Sequence, residues 1–309
     1  MAQPSEPQAR PDDERRRFAY KRRGIRRGQK GAAGADQRAA SLRAAVAHAV
    51  RRWNRPRVYT ARHGIARGLK QIGGVSLILP GFLQQASEYP EFAGVEEAFL
   101  RELDYEGQTI YDVGAFQGIF TLFFAQQARD KGRVVAFEPH PVNYRRVVEH
   151  VKLNDFSNVT TRNIALGRAR GELELAAPVE ELAGRASASE DMKRAFESKG
   201  LHFEAFTVPV NSIDHEIRDS SLPEPDFVKI DVEGLELDVL QGMQETISRC
   251  KPRLFLEIHG AGPEEKRSNA RRVVGFLDNR GYAMHHVETD QPVDASTAER
   301  AMRGHLYGI

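Results

Sequence analysis

Asp112, Gly114, Gly118 and Glu138 have the types and spacing to hold a nucleoside-containing ligand. The segment Asp112-Val-Gly114-Ala-Phe-Gln-Gly118 joins an apolar run at 109–113 to a stretch of helical periodicity at 116–129. A glycine turn between strand and helix lets a ligand approach the backbone, and the helix start offers free N–H groups and a positive dipole end. Glu138 lies 24 residues beyond Gly114, at the end of a second apolar run, 133–137. A carboxylate there can accept hydrogen bonds from both hydroxyls of a ribose. The dinucleotide fingerprint is G-x-G-x-x-G, whereas this turn is G-x-x-x-G and follows an acidic residue. Asp112 suits a doubly charged pyrophosphate poorly and suits a group carrying an ammonium and a sulfonium well. The expected cofactor is therefore S-adenosyl-L-methionine rather than a nicotinamide dinucleotide; the alternative is a pair of glycines serving packing alone.

A second constellation lies at Lys229-Ile-Asp231-Val-Glu233-Gly234, with Glu257 and His259 at the end of the following apolar run. Strand alternation puts Lys229, Asp231 and Glu233 on one face. Asp231, Glu233 and His259 are the candidate catalytic residues. One carboxylate could serve as general base for an acceptor hydroxyl, its pKa raised by its neighbour. His259 titrates near neutrality and suits the same task. A second reading joins the carboxylates with Glu257 or His259 around a divalent cation that orients a diol. In a third, Asp231 orders the turn and Glu233 caps a helix starting at Leu235. No metal site is assigned from the sequence. Displacement at a sulfonium methyl spreads charge rather than creating it, so in-line positioning should supply most of the acceleration.

The elements that must position these groups alternate. Strands at 109–113, 133–137, 159–166, 227–231 and 253–258 are interleaved with helices at 116–129, 142–153, 235–248 and 264–279. Further strands are expected at 171–176, 206–210, 283–287 and 305–309. The pattern predicts an α/β domain with a mostly parallel sheet flanked by helices. It occupies 105–309, with an insertion near 177–204, and follows a preamble at 56–104 that ends in a helix at 95–103.

Charge divides the chain in a way that the net value of +2 conceals. Residues 1–70 hold 19 Lys and Arg against 5 Asp and Glu, leaving 26 basic and 38 acidic residues beyond. Residues 1–55, with few large apolar side chains, read as a basic and largely disordered arm containing a short helix at 41–53. Such an arm either keeps the chain in solution or attracts an anionic partner by counterion release. The single cysteine, Cys250, excludes an intramolecular disulfide and a cysteine zinc cluster, and fits a reducing cytoplasm. No apolar stretch is long enough to span a bilayer, and the N-terminus has no apolar signal core.

Over roughly residues 62–259 the sequence resembles the FkbM family of class I methyltransferases. The resemblance is carried by Tyr111-Asp-Val-Gly-Ala-Phe-Gln-Gly-Ile-Phe-Thr121, Phe137-Glu-Pro-His-Pro-Val-Asn-Tyr144 and Asn163-Ile-Ala-Leu-Gly167. It continues in Val228-Lys-Ile-Asp-Val-Glu-Gly-Leu-Glu-Leu-Asp-Val-Leu240 and Pro252-Arg-Leu-Phe-Leu-Glu-Ile-His259. It implies a seven-stranded Rossmann-like sheet and O-methylation of a hydroxyl on a saccharide or secondary metabolite. Carried over by position, Asp112 and Gly114 would line the amino-acid part of the cofactor, Gly118 would let the helix approach it, and Glu138 would hold the ribose. Asn163 and Ala165 would sit near the adenine, while His140 and Asn143 would either touch the adenosine or start a helix. Phe116 stands where family members commonly carry Asn. The competing functions are an RNA or protein methyltransferase that uses the basic arm, and a cofactor-binding module without catalysis.

Overall fold

The computed structural model describes residues 69–72, 75–78, 95–178 and 203–309. The expected basic arm at 1–55, most of the preamble and the insertion core at 179–202 lie outside the described residues. The chain first forms a hairpin, β1 (Leu69–Ile72) with β2 (Val75–Ile78), and then α1 (Val95–Glu102). Regular alternation follows: β3 (Thr109–Val113), α2 (Ile119–Ala128), β4 (Arg133–Phe137), α3 (Pro141–Leu153) and β5 (Val159–Arg162). Next come β6 (Ala165–Leu166), β7 (Gly171–Pro178), β8 (Phe203–Asn211) and α4 (Ile213–Ser220). Alternation resumes with β9 (Phe227–Ile230), α5 (Glu236–Gln241), α6 (Gln244–Cys250), β10 (Arg253–Glu257) and α7 (Pro263–Asp278). The chain closes with β11 (Met284–His286), β12 (Gln291–Val293), a 3₁₀ turn at Ala298–Met302 and β13 (His305–Gly308).

The central sheet has the order β12-β11-β13-β10-β9-β3-β4-β5. The strands from β5 to β10 run parallel, and β13 inserts antiparallel between β10 and β11. Seven of these strands are the expected sheet; β12 adds a short eighth at the edge. All four residues of β9 are buried, as are four of the five in β3 and in β4. Burial on both faces explains why these strands read as unbroken apolar runs rather than alternating ones. Tyr105 packs edge-on to Phe124 and Phe227, and those two rings pack tilted against each other, at centroid distances of 5.2–5.6 Å on one face. Val239, Met243, Val273 and Leu277 fill the other. After β3 the order runs outward through β4 to β5, then returns to β9 on the other side of β3. That reversal opens a crevice at the carboxyl ends of β3 and β9, the usual ligand position in such sheets. Among the described residues, no helix is long and apolar enough to cross a membrane.

Two expected elements divide. The run 159–166 is two strands, because Asn163 turns the chain and sends β6 into a separate sheet of order β6-β8-β7. The helix expected at 235–248 breaks at Gly242, where a Cβ would stand 2.0 Å from the Gly167 carbonyl oxygen. The Gly242 carbonyl also accepts from Asp214 N–H at 3.0 Å. A helix with 3.6-residue periodicity thus yields to a contact 75 residues away in sequence. Helix α4 was not anticipated, although Ser212 supplies a conventional cap by accepting from His215 N–H at 3.2 Å.

Gly242→Ala should lower the free energy of unfolding by about 1–3 kcal/mol through overpacking. Gly275→Ala, in α7 with open space around it, should raise stability by about 0.5–1 kcal/mol. Urea unfolding midpoints of the two variants test the pair.

Candidate active site

The glycine turn is built around a backbone contact. Gly114 has φ of +81°, and a Cβ placed on it would lie 1.8 Å from the Asp231 carbonyl oxygen at the end of β9. Gly118, φ +87°, starts α2 directly above Val147 of α3. Between them Phe116 takes φ of +51°, a left-handed conformation that costs a non-glycine residue about 1–2 kcal/mol. Asn tolerates that region better than any bulky side chain, which supplies a backbone reason for the Asn implied by the resemblance. The same geometry aims Phe116 N–H at Glu138 Oε2, 2.7 Å away.

Glu138 closes β4 nearly buried, its Oε1 accepting from His140 N–H at 2.8 Å. Burial pushes its carboxyl up to about 8, against the pull of the His140 and Phe116 amides. Asn163 steadies this corner from behind, donating to the carbonyls of Glu138 and Pro139 at 2.8 and 2.9 Å. Its side chain therefore positions Glu138 rather than lining the cleft. Ala165 does line it, with Ile164, Leu166, Leu173 and Leu175, as an apolar wall opposite the glycine turn. His140 starts α3, its Nδ1 accepting from Val142 N–H at 3.2 Å, with its ring edge-on to Phe206. Asn143 lines the cleft and keeps a buried Oδ1 without a hydrogen-bond partner. Asp112, expected against the amino-acid part of the cofactor, is fully buried behind the turn. One of its oxygens accepts from Thr121 Oγ1 at 2.5 Å, and the other is buried without a partner.

The far wall of the cleft is charged. Lys229 is buried beneath Phe120 and sits 3.1 Å from Asp231 Oδ2. Burial opposes its charge, but Asp231, Asp112 and Glu96 hold the ammonium above its ordinary range. Glu233, φ +51°, and Gly234 bend the chain after β9 so that the Glu233 carboxylate faces His259 Nε2 at 4.0 Å. Asp231 and Glu257 approach the same nitrogen at 3.9 and 3.5 Å. On the other side of the ring, Nδ1–H donates to Glu236 Oε1 at 3.0 Å. Glu236 is fully buried and also accepts from Gly234 N–H and from Asn269 Nδ2. Burial alone would lower the imidazole's pKa; Glu236, Glu257, Glu233 and Asp231 outweigh it and hold His259 well above its ordinary value. The near-neutral titration expected from the residue type is thus displaced upward, because the surrounding carboxylates favour the charged ring. His259 and His305 in turn hold Glu257 well below the carboxylate range, despite its burial.

The structure therefore brings Gly114, Glu138 and Ala165 together with Asp231, Glu233 and His259 around one cleft, and leaves Asp112 and Asn163 supporting it from behind. Sequence reasoning missed Glu236, whose only local signal is that of an acid in the first turn of a helix.

The profile of the FkbM methyltransferase domain matches residues 112–284, more than half of the chain. The chain belongs to the FkbM methyltransferase family. This FkbM-family chain is 26% identical over 161 residues to the hexuronic acid methyltransferase AglP of Haloferax volcanii, an alignment covering 52% of this chain and 60% of AglP. It is 30% identical over 159 residues to methyltransferase sdnD of Sordaria araneosa, covering 44% of this chain and 60% of sdnD. The alignments thus span about three fifths of these curated relatives. The crystal structure of methyltransferase FkbM from Methylobacillus flagellatus KT shares 20% identity and a TM-score of 0.41, covering 67% of this chain and 45% of that one.

Two predictions follow from the Phe116–Glu138 corner. Phe116→Asn should leave thermal stability within about 1 kcal/mol of wild type despite losing a ring, whereas the β-branched Phe116→Val should cost about 2 kcal/mol or more. For Glu138, the folded state keeps its proton up to about pH 8 while the unfolded chain loses it near the ordinary value of 4.5. Stability from this group is complete below that ordinary value and is lost as pH rises towards 8. The stability of wild type relative to Glu138→Ala should accordingly fall between pH 5 and pH 8 in ligand-free chemical unfolding.

Proposed function

We propose that this chain transfers the methyl group of S-adenosyl-L-methionine to a hydroxyl of a saccharide or secondary metabolite. The observation that carries the proposal is a single cleft at the sheet's reversal point, with a ribose-ready carboxylate at one end and a cluster of carboxylates at the other. The cofactor fits the residues present. Glu138 offers lone pairs to two ribose hydroxyls, the unpartnered Asn143 Oδ1 offers a further acceptor, and the Ile164–Ala165–Leu166 wall supplies an apolar face for an adenine. The preference for a saccharide is supported by the similarity to a hexuronic acid methyltransferase. The acidic balance beyond residue 70 weighs against a nucleic-acid groove on the catalytic body.

When bound, the cofactor supplies an electrophilic methyl group on a sulfonium. The chain's part is to hold the acceptor hydroxyl in line with that methyl and to take its proton. The Glu233 carboxylate lines the cleft and stands 4.0 Å from His259 Nε2, and we assign the proton to it. As the acceptor hydroxyl takes up that methyl group, its proton would pass to the Glu233 carboxylate.

Calorimetric titration with S-adenosylhomocysteine tests the cofactor assignment. Wild type should bind, and Glu138→Ala should bind about 100-fold more weakly, as expected for losing hydrogen bonds to two hydroxyls. Absence of binding by wild type, or equal affinity in the variant, overturns it. Transfer of labelled methyl from S-adenosyl-L-methionine to glucuronate-containing oligosaccharides, with loss in Glu233→Gln, tests the acceptor class.

A further inference from the structure

We propose that Asp231, Glu257 and His259 form a divalent-cation site in the far wall of the cleft, with its remaining coordination positions open to the acceptor's oxygens. One ligand atom from each of these residues lies within 4.8 Å of the others, and all three residues line the cleft. From His259 Nε2, Glu257 Oε1 lies at the outer limit of hydrogen-bond length, 3.5 Å, and Asp231 Oδ1 beyond it, at 3.9 Å. They leave space between the three groups that direct bonds would have closed.

The ligands are held from behind in the manner of metal-binding histidines. His259 is nine-tenths buried and donates Nδ1–H to the buried Glu236, which fixes the tautomer that turns Nε2 toward the cleft. Glu236 is itself clamped by Asn269 and Gly234 N–H. Glu257 turns its second oxygen toward His305 Nε2 at 3.7 Å, and His305 Nδ1 is held by the buried Glu288 at 2.6 Å. Asp231 gives Oδ2 to Lys229 and keeps Oδ1 on the side of His259. Each ligand thus has an outer partner that orients it, and each presents one further atom to the common space.

Charge supports the same occupant. Around that space three carboxylates, Asp231, Glu233 and Glu257, converge on one imidazole nitrogen, with one ammonium beside Asp231. Clustered carboxylates removed from water need a positive partner. A divalent cation in place of the Nε2 proton would be their common partner and would add one further positive charge. One imidazole with two carboxylates suits Mn²⁺ or Mg²⁺ with water or acceptor oxygens completing the shell. What the ion would do for the acceptor rests on the methyl-transfer reading: it would bind the hydroxyl beside its neighbouring oxygen and make the proton easier for Glu233 to remove. The ion site itself needs neither cofactor nor acceptor.

Full-length protein stripped with chelator is titrated with Mn²⁺ alone, following loss of the free-ion electron paramagnetic resonance signal. One Mn²⁺ per chain is expected, with affinity weakened about 100-fold in Glu257→Gln and in His259→Ala, and about 10-fold in Glu236→Gln. Glu257 is partly exposed, so its variant keeps the test valid should His259→Ala lose cooperative unfolding. No saturable Mn²⁺ site in wild type, or undiminished binding in a cooperatively folded Glu257→Gln, overturns the proposal. Since S-adenosylhomocysteine binding is measured separately, Mn²⁺ binding without it would sink the methyl-transfer reading alone, and the reverse result would sink the ion site alone.

Discussion

The contact between Gly114 and the Asp231 carbonyl joins the two halves of the site. Any side chain at position 114 would occupy the space of that oxygen, so the turn after β3 and the end of β9 hold each other in place. From that contact the chain runs one way through Phe116 N–H to Glu138 and the other way through Asp231 to Lys229 and His259. A shift of the turn would move Glu138 and the charged wall together. For the methyl transfer proposed above, which depends on alignment, such rigid coupling is the contribution a scaffold can make.

Burial of charge is the second organising constraint. Glu138, Lys229, Glu236 and His259 are all largely withdrawn from water, which is tolerable only where each is bonded or paired. Glu138 meets the requirement with two backbone amides, Glu236 with an amide, an amide side chain and an imidazole, and Lys229 with Asp231 and an aromatic face. The turn at Phe116 carries its strain in the residue whose N–H reaches Glu138. Strained backbone retained beside a buried carboxylate marks a position set by the site rather than by local preference.

Much of this was legible in the sequence because it is local. The parallel strands announce themselves as apolar runs; Gly114 and Glu138 fall just past strand ends and Gly118 at a helix start, where their spacing places them. The far wall was legible only in part. Asp231, Glu233 and His259 stood out by type, but the carboxylates that shift His259 come from α5 and from the ends of β9 and β10, and no spacing rule joins them. Glu236 gives no signal of its own, since an acid in the first turn of a helix is ordinary. For Asp112 the position beside the glycines was legible, but not that its side chain is buried and bonded to Thr121.

The sequence by itself determined the alternation of the central parallel strands with helices, the glycine turn, the carboxylate that ends β4 and the resemblance to a methyltransferase family, because each depends on residues near one another in the chain. Only the tertiary structure decided where 159–166 divides, why the helix after β9 breaks at Gly242, and which of the acidic residues share a cavity. Those outcomes depend on contacts between segments tens of residues apart, such as Gly242 against Gly167 and His259 against Glu236. Periodicity carries no record of such contacts; the packing of strands and helices creates them.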